Sequence, residues 1–202
     1  LFVANANDNS VSVIDLQSTQ ISETLNAALY PNSPSGSTTN GLALSEDDKT
    51  LFIANADNNC LAVFDVSQPG LSKSKGFIPV GWYPTNVKVV GKKILVSNGK
   101  GFISMANPHG PNPMKPNAVW YQHGDTSAKE EQYIGGLFKG TLSFIDMPTD
   151  QQLNWYSKVV YENTPFNKQK ELTADVEQGN PIPPKVGDKS PIKHVFYIIK
   201  EN

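Results

Sequence analysis

Three histidines, one cysteine and 19 acidic residues are the side chains of this 202-residue chain best suited to catalysis or metal binding. Two of the histidines share one stretch. Asn107-Pro108-His109-Gly110-Pro111-Asn112-Pro113 is followed by Trp120-Tyr121-Gln122-His123-Gly124-Asp125. Imidazole and carboxylate are ordinary zinc ligands, so His109, His123 and Asp125 could form a metal site. The same stretch, with Trp120 and Tyr121, also reads as a docking lid, or as a plain surface loop folded back by its aromatic residues. Asn7-Asp8-Asn9 and Asp57-Asn58-Asn59 resemble pieces of a calcium loop. They lack the alternating ligands, the Gly and the distal Glu, which leaves tight hairpin turns as the reading. Cys60 sits at an inward-alternating position and reads as a small buried residue rather than a nucleophile. His194 lies in an apolar run and reads as structural. Trp82-Tyr83-Pro84 and Trp155-Tyr156 read as packing between repeated units rather than a ligand cage. There is no phosphate-binding Gly loop, no Gly-x-Ser-x-Gly elbow and no dinucleotide fingerprint.

These residues must be positioned by elements, and the elements repeat. Leu1-Phe2-Val3-Ala4-Asn5-Ala6-Asn7-Asp8-Asn9-Ser10-Val11-Ser12-Val13-Ile14-Asp15 aligns with the fifteen residues from Leu51 to Asp65, eight of them identical. A third copy is split: Ile94-Leu95-Val96-Ser97-Asn98 matches the first half and Gly140 to Asp146 the second, with an insert over 99–139. Such an insert exceeds the usual loop length of about 12–15 residues. Each copy reads as two strands rich in Val, Ile and Phe, joined by an Asn/Asp turn. A strand precedes the second and third copies, at Gly41–Leu44 and Thr85–Val90. A further strand follows each copy, at Ile21–Leu25, Gly76–Val80 and Trp155–Tyr161. Four antiparallel strands per unit at this period is the signature of a β-propeller blade. The expected fold class is therefore all-β: a partial propeller of about three four-stranded blades over 1–163. A Pro/Lys-rich linker over 164–191 follows, and then the first strand of an α/β domain over 192–202. That strand is the apolar run Ile192–Ile199, of the kind buried on both faces in parallel sheets.

Composition narrows the function. The net charge is −2 and every one of the 17 Lys/Arg positions is lysine. Without arginine or a basic excess, the reading excludes nucleic acid as a partner. The single cysteine excludes an internal disulfide. No run approaches the ~20 apolar residues of a membrane-spanning helix, so no membrane span is expected in this segment. Leu1-Phe2-Val3-Ala4-Asn5 and Ile198-Ile199-Lys200-Glu201-Asn202 both read as strand interiors, so the sequence is expected to be a fragment of a longer protein.

Leu-Phe-Val-Ala-Asn-Ala…Val-Ser-Val-Ile-Asp, with Tyr83-Pro84-Thr85 and Leu44-Ser45-Glu46-Asp47, resembles the YVTN-type β-propeller repeat of bacterial surface and periplasmic proteins. Pro191-Ile192-Lys193-His194-Val195-Phe196-Tyr197-Ile198-Ile199-Lys200-Glu201-Asn202 resembles the start of the bacterial phosphoesterase family. That family includes phospholipase C-like and acid phosphatase-like enzymes with an alkaline-phosphatase-type fold. The resemblance implies that Glu201 and Asn202 are metal ligands at a strand end, that the cofactor is a divalent metal ion, and that a phosphate ester is the substrate. It also implies export to the periplasm or cell surface. The propeller is then a non-catalytic scaffold or binding module, its partners being the rest of its own ring and the phosphoesterase domain. Two alternatives stand beside this: a surface binding module without hydrolase activity, and a lactonase-like propeller enzyme with its site in the central channel. The 99–139 insert is expected to face the domain starting at Pro191. Alone in solution, an incomplete ring is expected to expose sheet faces and edges and to be aggregation-prone.

Overall fold

The computed structural model of the chain describes residues 1–101, 134–164 and 176–199. The chain divides into two compact units, Leu1–Tyr161 and Glu162–Asn202. Among the described residues, the first unit holds three antiparallel sheets and one α-helix. The first sheet is β1 (Phe2–Asn5), β2 (Ser10–Ile14) and β3 (Ile21–Asn26), in that order. The second is β4 (Thr39–Leu44), β5 (Thr50–Asn55), β6 (Cys60–Asp65) and β7 (Lys73–Pro79). The third is β8 (Trp82–Val90), β9 (Lys93–Gly101) and β10 (Thr141–Asp146). The split third copy is reunited here: β9 and β10 pair from Thr141 opposite Asn98 to Asp146 opposite Lys93. Among the described residues, only the middle sheet has the four strands expected of each unit.

The hairpin turns follow from side-chain chemistry. Asn9 and Asn59, equivalent in the repeat, both adopt φ of +53°. Asparagine tolerates this left-handed conformation better than most side chains, which is why it closes both turns. At the far end of each unit, Asp15 accepts from the N–H groups of Gln17 and Ser18, and Asp65 from that of Ser67. Hydrogen bonds from Ser18 and Ser67 hold these two carboxyls below the usual aspartate value.

Strand alternation decides the packing. On the middle sheet, Leu51, Ile53, Cys60, Ala62 and Phe64 point one way and are buried against Val11 and Leu25 of the first sheet. Phe52, Ala54, Leu61 and Val63 point the other way and are buried against Val87, Ile94 and Val96 of the third. The middle strands are therefore apolar at nearly every position, as a sheet covered on both faces requires. Each fully buried Leu, Ile or Phe contributes about 1.5–3 kcal/mol. Polar contacts tie neighbouring sheets together at their margins: Glu23 accepts from Ser72, and Glu46 from the N–H of Gly91.

Trp155–Tyr161, expected as a strand, is helical: α1 spans Asp150–Asn163. Its start is a capping box. Thr149 Oγ1 accepts from the N–H of Gln152, and Gln152 Oε1 accepts from the N–H of Thr149. Leu153, Tyr156, Ser157 and Val160 fall on one face at helical spacing, and that periodicity outweighs the β-propensity of Trp, Val and Tyr. The helix runs along β7, the outermost strand of the middle sheet. Ser157 Oγ accepts from the N–H of Phe77, and Lys75 pairs with Asp150 at 3.0 Å. Leu153 and Val160 are buried, one in each inter-sheet core. Tyr161 stacks edge-on against Phe77 and donates to the carbonyl of Leu29. An unpaired strand edge is thus capped by a helix rather than by another strand. Trp155 is exposed against the expected packing role, its ring touching only that of Tyr156 among the described aromatic residues.

In the second unit, Ser190 Oγ donates to the carbonyl of Pro181 and accepts from the N–H of Ile192. The run Ile192–Ile199, expected as a buried strand, has no regular structure, and its apolar side chains are exposed. A strand needs a neighbour for its N–H and C=O groups, and no strand pairs with this run among the described residues. His194 is exposed with it. No helix of the described residues is long and apolar enough to cross a membrane.

Candidate functional site

The hairpin turns Asn7–Asn9 and Asp57–Asn59 and the connections between sheets gather on one rim of the stack. Their hydrogen bonds repeat from copy to copy. Asn9 Oδ1 accepts from the N–H groups of Gly36 and Ser37, and Asn59 Oδ1 from that of Tyr83. The backbone echoes this: the N–H of Ala27 donates to Asn9 and that of Val80 to Asn59. Each turn therefore holds the segment that leads into the next sheet. Asp8 accepts from Ser10, and Asp57 from Thr38.

A second asparagine ladder lies just beneath. Asn5 and Asn55 end β1 and β5, and Asn98 holds the equivalent place within the longer β9. Asn5 donates to Ser10 and Ser12. Asn98 donates to Ser143 at 2.9 Å and Thr141 at 3.2 Å, the equivalent positions. In the middle copy these hydroxyl positions are Cys60 and Ala62, so Asn55 turns to other partners. Its Nδ2 donates to the carbonyl of Ala27 at 2.7 Å, and its Oδ1 accepts from Thr39. Thr39 stands opposite Asn55, but Pro84 stands opposite Asn98. Proline has no hydroxyl, and the buried Asn98 Oδ1 has no partner among the described residues. Gly81 packs directly on the Asn98 amide, where a Cβ would collide with it.

Beside Asn98, Tyr83 holds a φ of +63° and its ring carries the Lys100 ammonium 4.3 Å from the centroid. Cation–π contacts of this kind contribute about 0.5–1 kcal/mol at exposed sites. The long insert leaves the third sheet here. Gly101, with φ of +67°, lies against the carbonyl of Lys139 so closely that no side chain fits. Both roots of the insert thus meet at one point. The rim carries hydrogen-bonding amides, the carboxylates of Asp8 and Asp57, the Lys100 ammonium and the Tyr83 ring.

His109, Trp120, Tyr121, His123 and Asp125 lie outside the described residues, as do Glu201 and Asn202. Among the described residues, no group of three or more His, Cys, Asp or Glu side chains is placed to hold a metal ion. Cys60 is buried as expected, and burial pushes its thiol up to about 12, partly opposed by a hydrogen bond with Asn55. A thiol so far above neutral pH is not a nucleophile. The ladder Asn5, Asn55 and Asn98 went unread as a set, although its signal is in the repeat: asparagine holds the same place in the first strand of every copy.

No family model matches the chain, and no curated protein matches it. Among solved structures it is similar to a chain of the Kuenenia stuttgartiensis hydrazine synthase, at 20% identity over 48% of this chain, with a TM-score of 0.40. It is similar also to a chain of a nidogen/laminin complex, at 18% identity over 49% of this chain, with a TM-score of 0.35. The chain spans 25% and 35% of the lengths of those two chains. Both likenesses are too distant to define a fold.

Proposed function

We propose that residues 1–163 belong to a β-propeller of the YVTN type. It acts as a non-catalytic scaffold and binding module, joined through 164–191 to a metal-dependent phosphoesterase domain that begins near Ile192. The observation that carries the propeller half is the repeated stack. Equivalent positions of successive copies face the neighbouring sheets in the same sense, and one asparagine anchors each connection. Sheets that cannot bury both faces alone do so by stacking in series. The hydrolase half rests on the resemblance of Pro191–Asn202. A carboxylate and an amide oxygen are hard donors that suit a divalent cation, and Glu201 and Asn202 supply both. In this reading the run Ile192–Ile199 finds its strand partners in the phosphoesterase sheet. A divalent cation held by Glu201 and Asn202 would supply Lewis-acid activation of a water or of the phosphate ester, and the module works in the periplasm or at the cell surface.

The test is hydrolysis of p-nitrophenyl phosphate by the natural polypeptide that carries this segment. Turnover is expected to vanish with EDTA, to return with added divalent cation, and to fall at least about 100-fold in Glu201→Ala. Hydrolysis that ignores both the chelator and Glu201→Ala, or no hydrolysis at all, contradicts the reading. The second reading, a binding module without hydrolase activity, is favoured by the polar rim around Tyr83 and Lys100 and gains from that last result.

A further inference from the structure

We infer that Asn40 is a site of spontaneous deamidation, in which the backbone nitrogen of Gly41 displaces the side-chain amide and leaves aspartate or isoaspartate at position 40. The dipeptide Asn-Gly occurs twice, at 40–41 and 98–99, and the fold treats the two differently. Asn40 and Gly41 fall in the irregular stretch of β4, between the pairs Thr39–Asn55 and Leu42–Ile53. There the N–H of Gly41 donates to Asn40 Oδ1 at 2.5 Å. A C=O bond is about 1.2 Å long, so Asn40 Cγ is brought close to the roughly 3–3.5 Å at which two atoms are poised to react. Asn40 is half-buried, within reach of water. Asn98 is buried and paired on both sides, with Pro84 and Thr141. Its Nδ2 is held by Ser143 and Thr141, and among the described residues no group, Gly99 included, donates to its Oδ1. Asn86 is a third case. The N–H of Val87 donates to its Oδ1 at 2.9 Å, but the β-branched side chain of valine crowds that nitrogen.

Packing is what places a glycine after Asn40. A Cβ at Gly41 would lie 2.8 Å from the Cα of Asn86, on the neighbouring sheet. The reaction needs only water and hydroxide. Hydroxide takes the Gly41 amide proton, and the freed nitrogen forms a bond to Asn40 Cγ. The Cγ–Nδ2 bond breaks, and Nδ2 leaves as ammonia with a proton from water. Water then opens the five-membered imide at either carbonyl. Opening at the backbone carbonyl gives isoaspartate, which lengthens the main chain by one methylene beside the tight approach of Gly41 to Asn86. Thr39, the preceding residue, holds Asn55 Oδ1. The product therefore loosens both the Asn55 anchor and the seam between the second and third sheets.

The test is to age the whole 202-residue chain in mildly alkaline buffer and to follow each asparagine by peptide mass mapping, with isoaspartate read by isoaspartyl methyltransferase labelling. In the folded chain, product at Asn40 is expected to form at least about tenfold faster than at Asn98, a barrier difference of about 1.4 kcal/mol. Asn86 is expected to stay intact over the same interval. In urea the two Asn-Gly sites are expected to react at similar rates, which assigns the difference to the fold. Asn40→Gln, whose longer side chain does not close the five-membered ring, is expected to lose most of the methyl label. No product at Asn40, equal rates at Asn40 and Asn98 in the folded chain, or a gap between them that persists in urea overturns the inference. So does product at Asn86 as fast as at Asn40, or an Asn40→Gln chain that labels like the unaltered one.

Discussion

Asn55 and Asn98 occupy the same place in their copies, yet their side chains are held to different degrees. Asn55 uses both ends of its amide, on Ala27 and Thr39, while Asn98 uses only its Nδ2. Removing Asn55 leaves a buried carbonyl and a buried hydroxyl without partners. Asn55→Ala is therefore expected to cost about 2–3 kcal/mol, and Asn98→Ala only about 1 kcal/mol, because the second change also removes an unpaired buried oxygen. Urea unfolding midpoints of the two variants check the ranking, and equal losses contradict it. The sequence carried half of this distinction. The asparagines are visible in the repeat, and so are the hydroxyls at Ser10, Ser12, Thr141 and Ser143. That Pro84 rather than Thr85 stands opposite Asn98 depends on a register shift in β8, which no local pattern announces.

The strands of the first two hairpins were legible because their apolar pattern and Asn/Asp turns agree, and those of the split third pair because they align with the same repeat. The helix α1 was misread, although its capping box, Thr149 to Gln152, and the spacing of Leu153, Ser157 and Val160 are both in the sequence. Its β-favouring residues hid a period of 3.6 behind an expectation of a further strand. What fixes it is tertiary: Ser157 bonds the free N–H of β7 at Phe77. That approach depends on Gly76, whose φ of +137° suits glycine and whose missing Cβ makes room for Ser157 Oγ. Gly76→Ala is expected to lower stability by about 2–3 kcal/mol through backbone strain and the clash. Ser157→Gly in the Gly76→Ala background recovers part of the loss, as thermal unfolding of the single and double variants will read. Strict additivity of the two changes contradicts the contact.

At the level of the whole molecule, the sequence conveyed the stacked repeat but not its ends. Continuous apolar runs in β5 and β6 announce a sheet covered on both sides. The alternation Leu142-Ser143-Phe144 leaves its outward neighbours undetermined, because an exposed apolar side chain and one covered by a partner look alike in sequence. The run Ile192–Ile199 shows the same limit: its strand propensity is strong, but a strand exists only where another strand pairs with it. The central claim is that copies of one hairpin unit stack face to face, with the middle copy enclosed. Hydrogen exchange of the backbone amides, followed at low protein concentration, tests it most directly. The account predicts that amides within Leu51–Asn55 and Cys60–Phe64 exchange only through global unfolding, and that those of β10 turned away from β9 exchange far faster. Equal protection across the three sheets, or a middle sheet that opens before its neighbours, would contradict it.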